Sequence, residues 1–262
     1  MKFLIKIAFA LLQTVMVSDI AIAQEGYQYS IDLTKVEDDK ITVELLTPAL
    51  TGASVDFYFP RIVPGTYMNS NYGRFVQELK AFDKAGKAIS VKKTDDNTWK
   101  ISKASSLYKI TYKVEDSWDS KLDKKPYSMA GTSFEAGKNF VLNTCGVFGY
   151  FEQKRNAPFD LQFTKPAGFY AATGLEAYKT SHTADAFKSS NADHLYDSPI
   201  MFSLPDTTSV KVGDTDVLIA VYSPKKMFTS AYLAQGLSKL LLATKDYLGG
   251  KLPVKKYAFI YY

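Results

Sequence analysis

The chain is 262 residues long, 46% apolar and 23% charged, with a formal net charge of +5, which is enough sequence to bury a core and too apolar for a disordered segment. Its 18 Tyr and 17 Phe favour β-structure. Only Arg61, Arg74 and Arg155 are arginines and the lysines are scattered, whereas phosphate readers cluster both, so nucleic acid is excluded as a partner.

The first element in chain order is a processing signal. Lys2 and Lys6 form a basic n-region, Ile7 to Val17 an apolar run, and Ala21-Ile22-Ala23 a small-x-small cleavage site. Residues 1–23 are therefore expected to be a signal peptide, since the apolar run is too short for a permanent span. The mature chain then starts near Gln24 with 30 basic against 26 acidic side chains, exported to the periplasm or the extracellular space. No Cys stands near Gln24, so no lipid attachment and no stable membrane anchor is expected.

From Tyr27 to about Phe163 apolar and polar residues alternate, as in YQYSIDL (27–33), ITVELL (41–46), SVDFYF (54–59) and LYKITYKV (107–114). Alternation with period two is the pattern of half-buried strands. Turn clusters such as Asp83-Lys84-Ala85-Gly86-Lys87 and Asp95-Asp96-Asn97 separate the runs. Short strands at that spacing predict a mainly β chain with an antiparallel β-sandwich over residues 24–206 and almost no helix there.

One segment breaks the alternation. FPRIVPGTYMNSNYGRF, residues 59–75, carries two prolines and two glycines. Pro60 and Pro64 predict the end of a strand and an extended crossover, and Gly65 adds a turn. The segment is too long for an ordinary hairpin, so it is expected to span an edge or end of the domain.

Phe228 to Leu248 changes the period: Leu233, Leu237, Leu240, Leu241 and Leu248 recur at helical spacing and predict one apolar stripe. Thr229 or Ser230 offers an N-cap and Gly249-Gly250 a stop. DVLIAVY (216–222) before it and KKYAFIYY (255–262) after it read as strands. Strand, helix, strand over residues 207–262 marks the start of a mixed α/β region. The apolar run Ala258 to Tyr262 carries no polar tail, so a longer protein is expected.

The inventory for catalysis is thin. His182 and His194 are the two histidines, and there is no His-Glu-x-x-His, Cys-x-x-Cys, Gly-x-Ser-x-Gly or Walker loop. Asp193, His194 and Asp197 fall close together, but SSNADHLYDSPI reads more simply as a polar loop entering a turn than as a metal site. Cys145, flanked by Val141, Leu142, Val147 and Phe148, reads as a small buried hydrophobe rather than a nucleophile.

The stretch from Pro60 to Ile101, which includes most of the interrupting segment, resembles the N-terminal domain of the glycyl aminopeptidase family of zinc metallopeptidases. Pro60, Pro64, Gly65, Tyr67, Tyr72, Arg74, Asp83, Gly86 and Trp99 match its motif in order and spacing, with Ile62 where many members have Trp. HLYDSPIMF (194–202), with Asp197 and Pro199, matches a second segment, and GGKLPVKKYAFIYY resembles the lead-in to the catalytic domain. The resemblance implies an N-terminal β-sandwich, a thermolysin-like domain with zinc ligands, often a PDZ domain, and removal of N-terminal Gly or Ala from peptides. It further implies that residues 207–262 begin a truncated catalytic domain, that zinc belongs to the missing part, and that no catalytic residue or metal ligand lies in this chain. The partners implied are this chain's own catalytic domain and, through the full-length protein, a peptide substrate. Tyr67 and Arg74 are the candidate substrate contacts, with packing or a salt bridge to the neighbouring domain as their simpler role. The remaining matches, Pro60, Pro64, Gly65, Asp83, Gly86, Trp99, Asp197 and Pro199, are expected to shape the fold. The alternative reading is a free-standing secreted β-sandwich module that binds a peptide or a glycan.

Overall fold

A computed structural model of the chain describes residues 24–262. The signal peptide expected over residues 1–23 lies outside the described residues. The chain is mainly β, with largely antiparallel sheets, few helices, and a helix and strand at its C-terminal end.

One layer is an eight-stranded sheet in the order Glu176–Thr180, Ala184–Ser189, Phe159–Thr164, Tyr27–Asp32, Lys40–Leu46, Lys109–Glu115, Val76–Phe82, Ala88–Ile89. Period two decides which side chains turn inward: Tyr27, Tyr29 and Ile31 are buried while Gln28 and Ser30 face water. All neighbours are antiparallel except Tyr27–Asp32 with Phe159–Thr164. That parallel pair has no signature in the residues, because strands more than a hundred residues apart choose direction by packing.

Two four-stranded sheets form the second layer. One runs Tyr150–Phe151, Ser54–Tyr58, Thr98–Ser102, Val91–Asp95, and the other Tyr170–Thr173, Ile200–Ser203, Asn139–Leu142, Ser133–Glu135. Phe57, Ile101, Phe140 and Phe202 pack from these onto Tyr112, Leu161 and Phe163 of the large sheet in one continuous core. The segment between them, residues 145–151, is buried without a full ladder, and tyrosine hydroxyls satisfy its carbonyls. Tyr112 donates to Val147 at 2.7 Å, Tyr196 to Phe148 at 2.9 Å and Tyr29 to Gly149 at 2.6 Å. Burial raises the Tyr29 and Tyr112 hydroxyl pKa values well above the ordinary one, so they act as donors throughout the physiological range.

Asn139–Leu142 and Ile200–Ser203 are buried along their whole length. Phe140, Leu142, Ile200 and Phe202 enter the main core, and the alternate residues Val141 and Met201 face a second one. That second core joins them to Leu218 and Ala220 of a three-stranded sheet, Thr207–Val212, Thr215–Val221 and Lys256–Tyr261. The last two strands are parallel and the helix Ser230–Tyr247 connects them. The Thr229 hydroxyl caps the helix at the Tyr232 amide, 3.3 Å away, and Gly249 and Gly250 end it at φ 85° and 88°.

The leucine stripe is narrower than its spacing predicts. Leu233, Leu237 and Leu241 pack on the sheet with Ala234, whereas Leu240 and Leu248 are 60% and 49% exposed. At 100° per residue Leu240 falls within about 20° of Leu233, and Leu248 within about 20° of Leu237, so the five share one stripe and the extent of the sheet packed against it decides which of them are covered.

Candidate functional site

The crossover of residues 59–75 carries the chain from Ser54–Tyr58 in the second layer to Val76–Phe82 in the first. Val63-Pro64-Gly65-Thr66 is a β-turn closed by the Thr66 amide on the Val63 carbonyl at 3.2 Å, with Gly65 at φ 86°. Proline at the second position and a left-handed glycine at the third are what a type II turn requires. The Asn97 side chain accepts from the Gly73 amide at 3.1 Å and donates to the Asn71 side chain at 2.9 Å. A Cβ on Gly73 would strike the Asp96 carbonyl, so the 95–98 turn and the crossover are built around that glycine.

Arg74 ties this crossover to a second loop. Its Nη1 donates to the Asp123 carbonyl at 2.9 Å, and Nη2 to the Lys124 and Ser70 carbonyls at 2.8 and 3.1 Å. Within this chain its partners are carbonyls, and the guanidinium also lies 5.4 Å over the Phe75 ring. Tyr67 stands apart, 99% exposed on left-handed backbone at φ 53°.

The second loop, residues 116–131, is held from its base. The Asp116 carboxylate accepts from the Trp118 amide at 2.7 Å, the Asp119 amide at 3.3 Å and the Phe134 amide at 2.6 Å. Burial nevertheless pushes the Asp116 carboxyl pKa up. The Asn143 side-chain amide donates to the Gly131 carbonyl, and the Tyr127 amide contacts the Met68 sulfur at 3.0 Å. The outer surface of the two loops is apolar and aromatic: Ile62, Tyr67, Tyr127 and Met129 are exposed, and the Trp118 ring lies 5.4 Å from that of Tyr262.

Trp118, Met129, Asn143 and Pro199 wall a cleft whose other side is Ala258 to Tyr262. Of the site residues singled out by sequence, Pro199 reaches this cleft; Tyr67 and Arg74 lie on the crossover, which Arg74 ties to the loop that carries Trp118 and Met129. Trp118, Met129 and Asn143 carry no local signal that sequence reasoning could use. Asp83, Gly86 and Trp99 lie elsewhere in structural roles: the Asp83 carboxylate accepts from the Ala85 and Lys87 amides at 3.0 and 2.9 Å in a turn with Gly86 at φ 80°, and Trp99 is buried beneath Lys93, 4.6 Å away.

The 190–198 segment is a short helix, Ala192–Tyr196, rather than the expected loop, because Asn191 caps it at the His194 amide, 2.8 Å away. Asp197 directly succeeds its last turn. The His194 Nδ1 lies 3.0 Å from the Ser189 hydroxyl, and Asp193 pairs with Arg155 at 2.6 Å. Among the described residues no three His, Cys, Asp or Glu side chains converge on a point. Cys145 is buried, and burial pushes its thiol pKa up to about 11, as a packing residue requires.

No curated protein matches the chain. Among solved structures, an aminopeptidase N family protein from Idiomarina loihiensis is similar with a TM-score of 0.74 and 16% identity, over 89% of this chain and 38% of that one. This chain therefore spans well under half the length of that protein, and the likeness is one of fold. An M1 zinc metallopeptidase from Deinococcus radiodurans reaches a TM-score of 0.47 at 12% identity, over 91% of this chain and 57% of that one, too low to carry an argument. The Peptidase M61 N-terminal domain matches residues 28–204, and these span the sandwich, the crossover and the loops around the cleft: the chain belongs to the M61 peptidase family through its N-terminal domain.

Proposed function

We propose that this chain is the non-catalytic N-terminal portion of an exported zinc metallo-aminopeptidase that removes N-terminal Gly or Ala from peptides. The observation that carries the reading is an M61 N-terminal domain over residues 28–204. The M61 family is zinc-dependent, and a catalytic zinc needs three convergent protein ligands with an open position. Residues 24–262 do not fit that metal, because their histidines and carboxylates converge nowhere in threes. Zinc is accordingly assigned to the catalytic portion, which is also this chain's partner and the route by which it meets peptide. Export rests on the signal-like order of residues 1–23.

Within this reading the two candidate contacts have different roles. Arg74 donates to three backbone carbonyls and positions the loops, while Tyr67 holds a solvated ring on the crossover, open to the peptide.

The test is zinc content and cleavage of Gly- and Ala-anilides, measured side by side on residues 24–262 and on the full-length peptidase. The full-length protein should bind zinc, cleave, and stop on addition of a chelator, and residues 24–262 should do neither. Zinc-dependent cleavage by residues 24–262 would overturn the division of roles; a zinc-loaded full-length protein that ignores both anilides would overturn the substrate.

A further inference from the structure

The two layers of the sandwich part along one side, where Tyr170–Thr173 and Glu176–Thr180 are the edge strands of their sheets. A cavity of about 410 Å³ opens there, with Lys256 of the three-stranded sheet also in its wall. That volume lies within the range of about 300–1,000 Å³ found for small-molecule sites.

The buried part of the wall holds an ion pair. Alternation turns Asp185 inward with Phe187, and Lys165, one residue past the strand Phe159–Thr164, meets Asp185 Oδ2 at 2.5 Å. Asp185 Oδ1 is buried and has no hydrogen-bond partner among the described residues. The Lys165 ammonium keeps N–H groups beyond the one given to that carboxylate. Stability does not account for this arrangement: a buried ion pair is often no more stabilising than an apolar pair of the same volume, and a buried acceptor without a donor loses its hydration uncompensated.

The rest of the wall mixes apolar surface with a few polar groups, as ligand sites do. Phe169 is buried, and Tyr170 and His182 are exposed at the mouth. The Lys256 ammonium lies 2.8 Å from the Leu175 carbonyl and has further N–H groups to give. Burial, and then the Asp185 charge, raises the Tyr170 hydroxyl pKa, so that hydroxyl is a donor at neutral pH.

An acceptor oxygen beside an ammonium with N–H groups to spare is the complement of a hydroxyl, which donates to the one and accepts from the other. A cationic ligand would gain Oδ1 but meet the charge of Lys165, and an anion would gain the lysines but meet the charge of Asp185. A neutral polyol meets both without repulsion, and its C–H surface suits the aromatic rings of the wall.

We propose that this lateral cavity is a saccharide site that takes one neutral hexopyranose, with a ring hydroxyl bridging Asp185 Oδ1 and Lys165 Nζ, and with Lys256 and the Tyr170 hydroxyl donating to its other oxygens. The site shares no residue with the cleft walled by Trp118 and Tyr262, and it does not rest on the M61 reading.

NMR titration of residues 24–262, and saturation-transfer difference NMR on the full-length peptidase, test it with the methyl α-D-glycosides of glucose, mannose and galactose. At least one of the three should bind saturably to both proteins and shift the amides of residues 165–171 and 181–186. The double variant Lys165→Met with Asp185→Leu, which removes both charges together, should weaken that binding at least about tenfold while its melting temperature stays near the parent's. Tyr170→Ala and Lys256→Met should each weaken it as well, which keeps the test open if the double variant fails to fold. No saturable response to any of the three glycosides up to about 50 mM overturns the proposal and leaves the ion pair to water. So do shifts confined to other amides, affinity unchanged in both single variants, and saturable binding of glycine or inorganic phosphate at these amides in place of the sugars. None of these readouts uses aminopeptidase activity, so the saccharide site and the peptidase reading stand or fall separately.

Discussion

Arg74 and Asp123 are 49 residues apart in sequence, and the Arg74 Nη1 lies 2.9 Å from the Asp123 carbonyl oxygen. With the bonds to Lys124 and Ser70, the planar guanidinium fixes the path of one loop against another, a task for directed donors that a point-charge ammonium does less well. Arg74→Ala is expected to cost about 2 kcal/mol in urea unfolding, and Arg74→Lys to recover less than half of it. Limited proteolysis within residues 116–131 should accelerate in both variants. An unchanged cleavage rate there would show that the loop is held by something else.

Gly65 tests the turn separately from packing. Its φ is 86° and a Cβ would meet nothing within 4 Å, so any cost is conformational. Gly65→Val should lose about 1–3 kcal/mol, Pro64→Ala about 0.4–1 kcal/mol through the unfolded state, and Arg61→Ala within about 0.5 kcal/mol. Equal melting temperatures for the three variants would remove the structural account of the motif.

Lys165 and Asp185 form a 2.5 Å ion pair with side chains 5% and 3% exposed. Removing one partner strands the other charge, so Asp185→Leu or Lys165→Met alone should cost about 3–5 kcal/mol, while the double variant should lie much nearer the parent. A double-mutant cycle with additive losses would contradict this.

Asp116 gives a pH dependence with a definite sign. Burial raises its carboxyl pKa above the unfolded value even though three amides donate to it, so the native state binds the proton more tightly than the unfolded chain. The group's contribution is greatest below the unfolded pKa and falls as pH rises through the folded one. Asp116→Asn turns an NH₂ toward one of those amides and should cost about 1–3 kcal/mol near pH 7. Its deficit relative to the parent should widen as pH falls and the parent takes up its proton, and a gap that narrows would reverse the assignment.

Much of this architecture is legible in the residues themselves. Alternation in YQYSIDL and ITVELL fixes which side chains of strands Tyr27–Asp32 and Lys40–Leu46 turn inward, since successive side chains must point to opposite faces. Pro64-Gly65 writes a type II turn because proline presets one dihedral and only glycine enters the next at low cost, and Thr229 with Gly249-Gly250 brackets the helix by capping chemistry. The M61 motif is readable for the same reason: it consists of residues with local conformational duties.

Contacts between distant segments are not readable in this way. The parallel pairing of Tyr27–Asp32 with Phe159–Thr164, the Arg74 clamp on carbonyls of residues 123 and 124, and the cleft between Trp118 and Tyr262 join segments that no local period relates. Leu240 shows the same limit within one helix, for whether an apolar side chain is covered depends on the layer that packs against it. Local chemistry determined strands, turns and caps, each set by a few dihedrals and the choice of face. The tertiary structure alone decided which of those elements meet, because direction and neighbour are chosen by the summed burial of surfaces from distant parts of the chain.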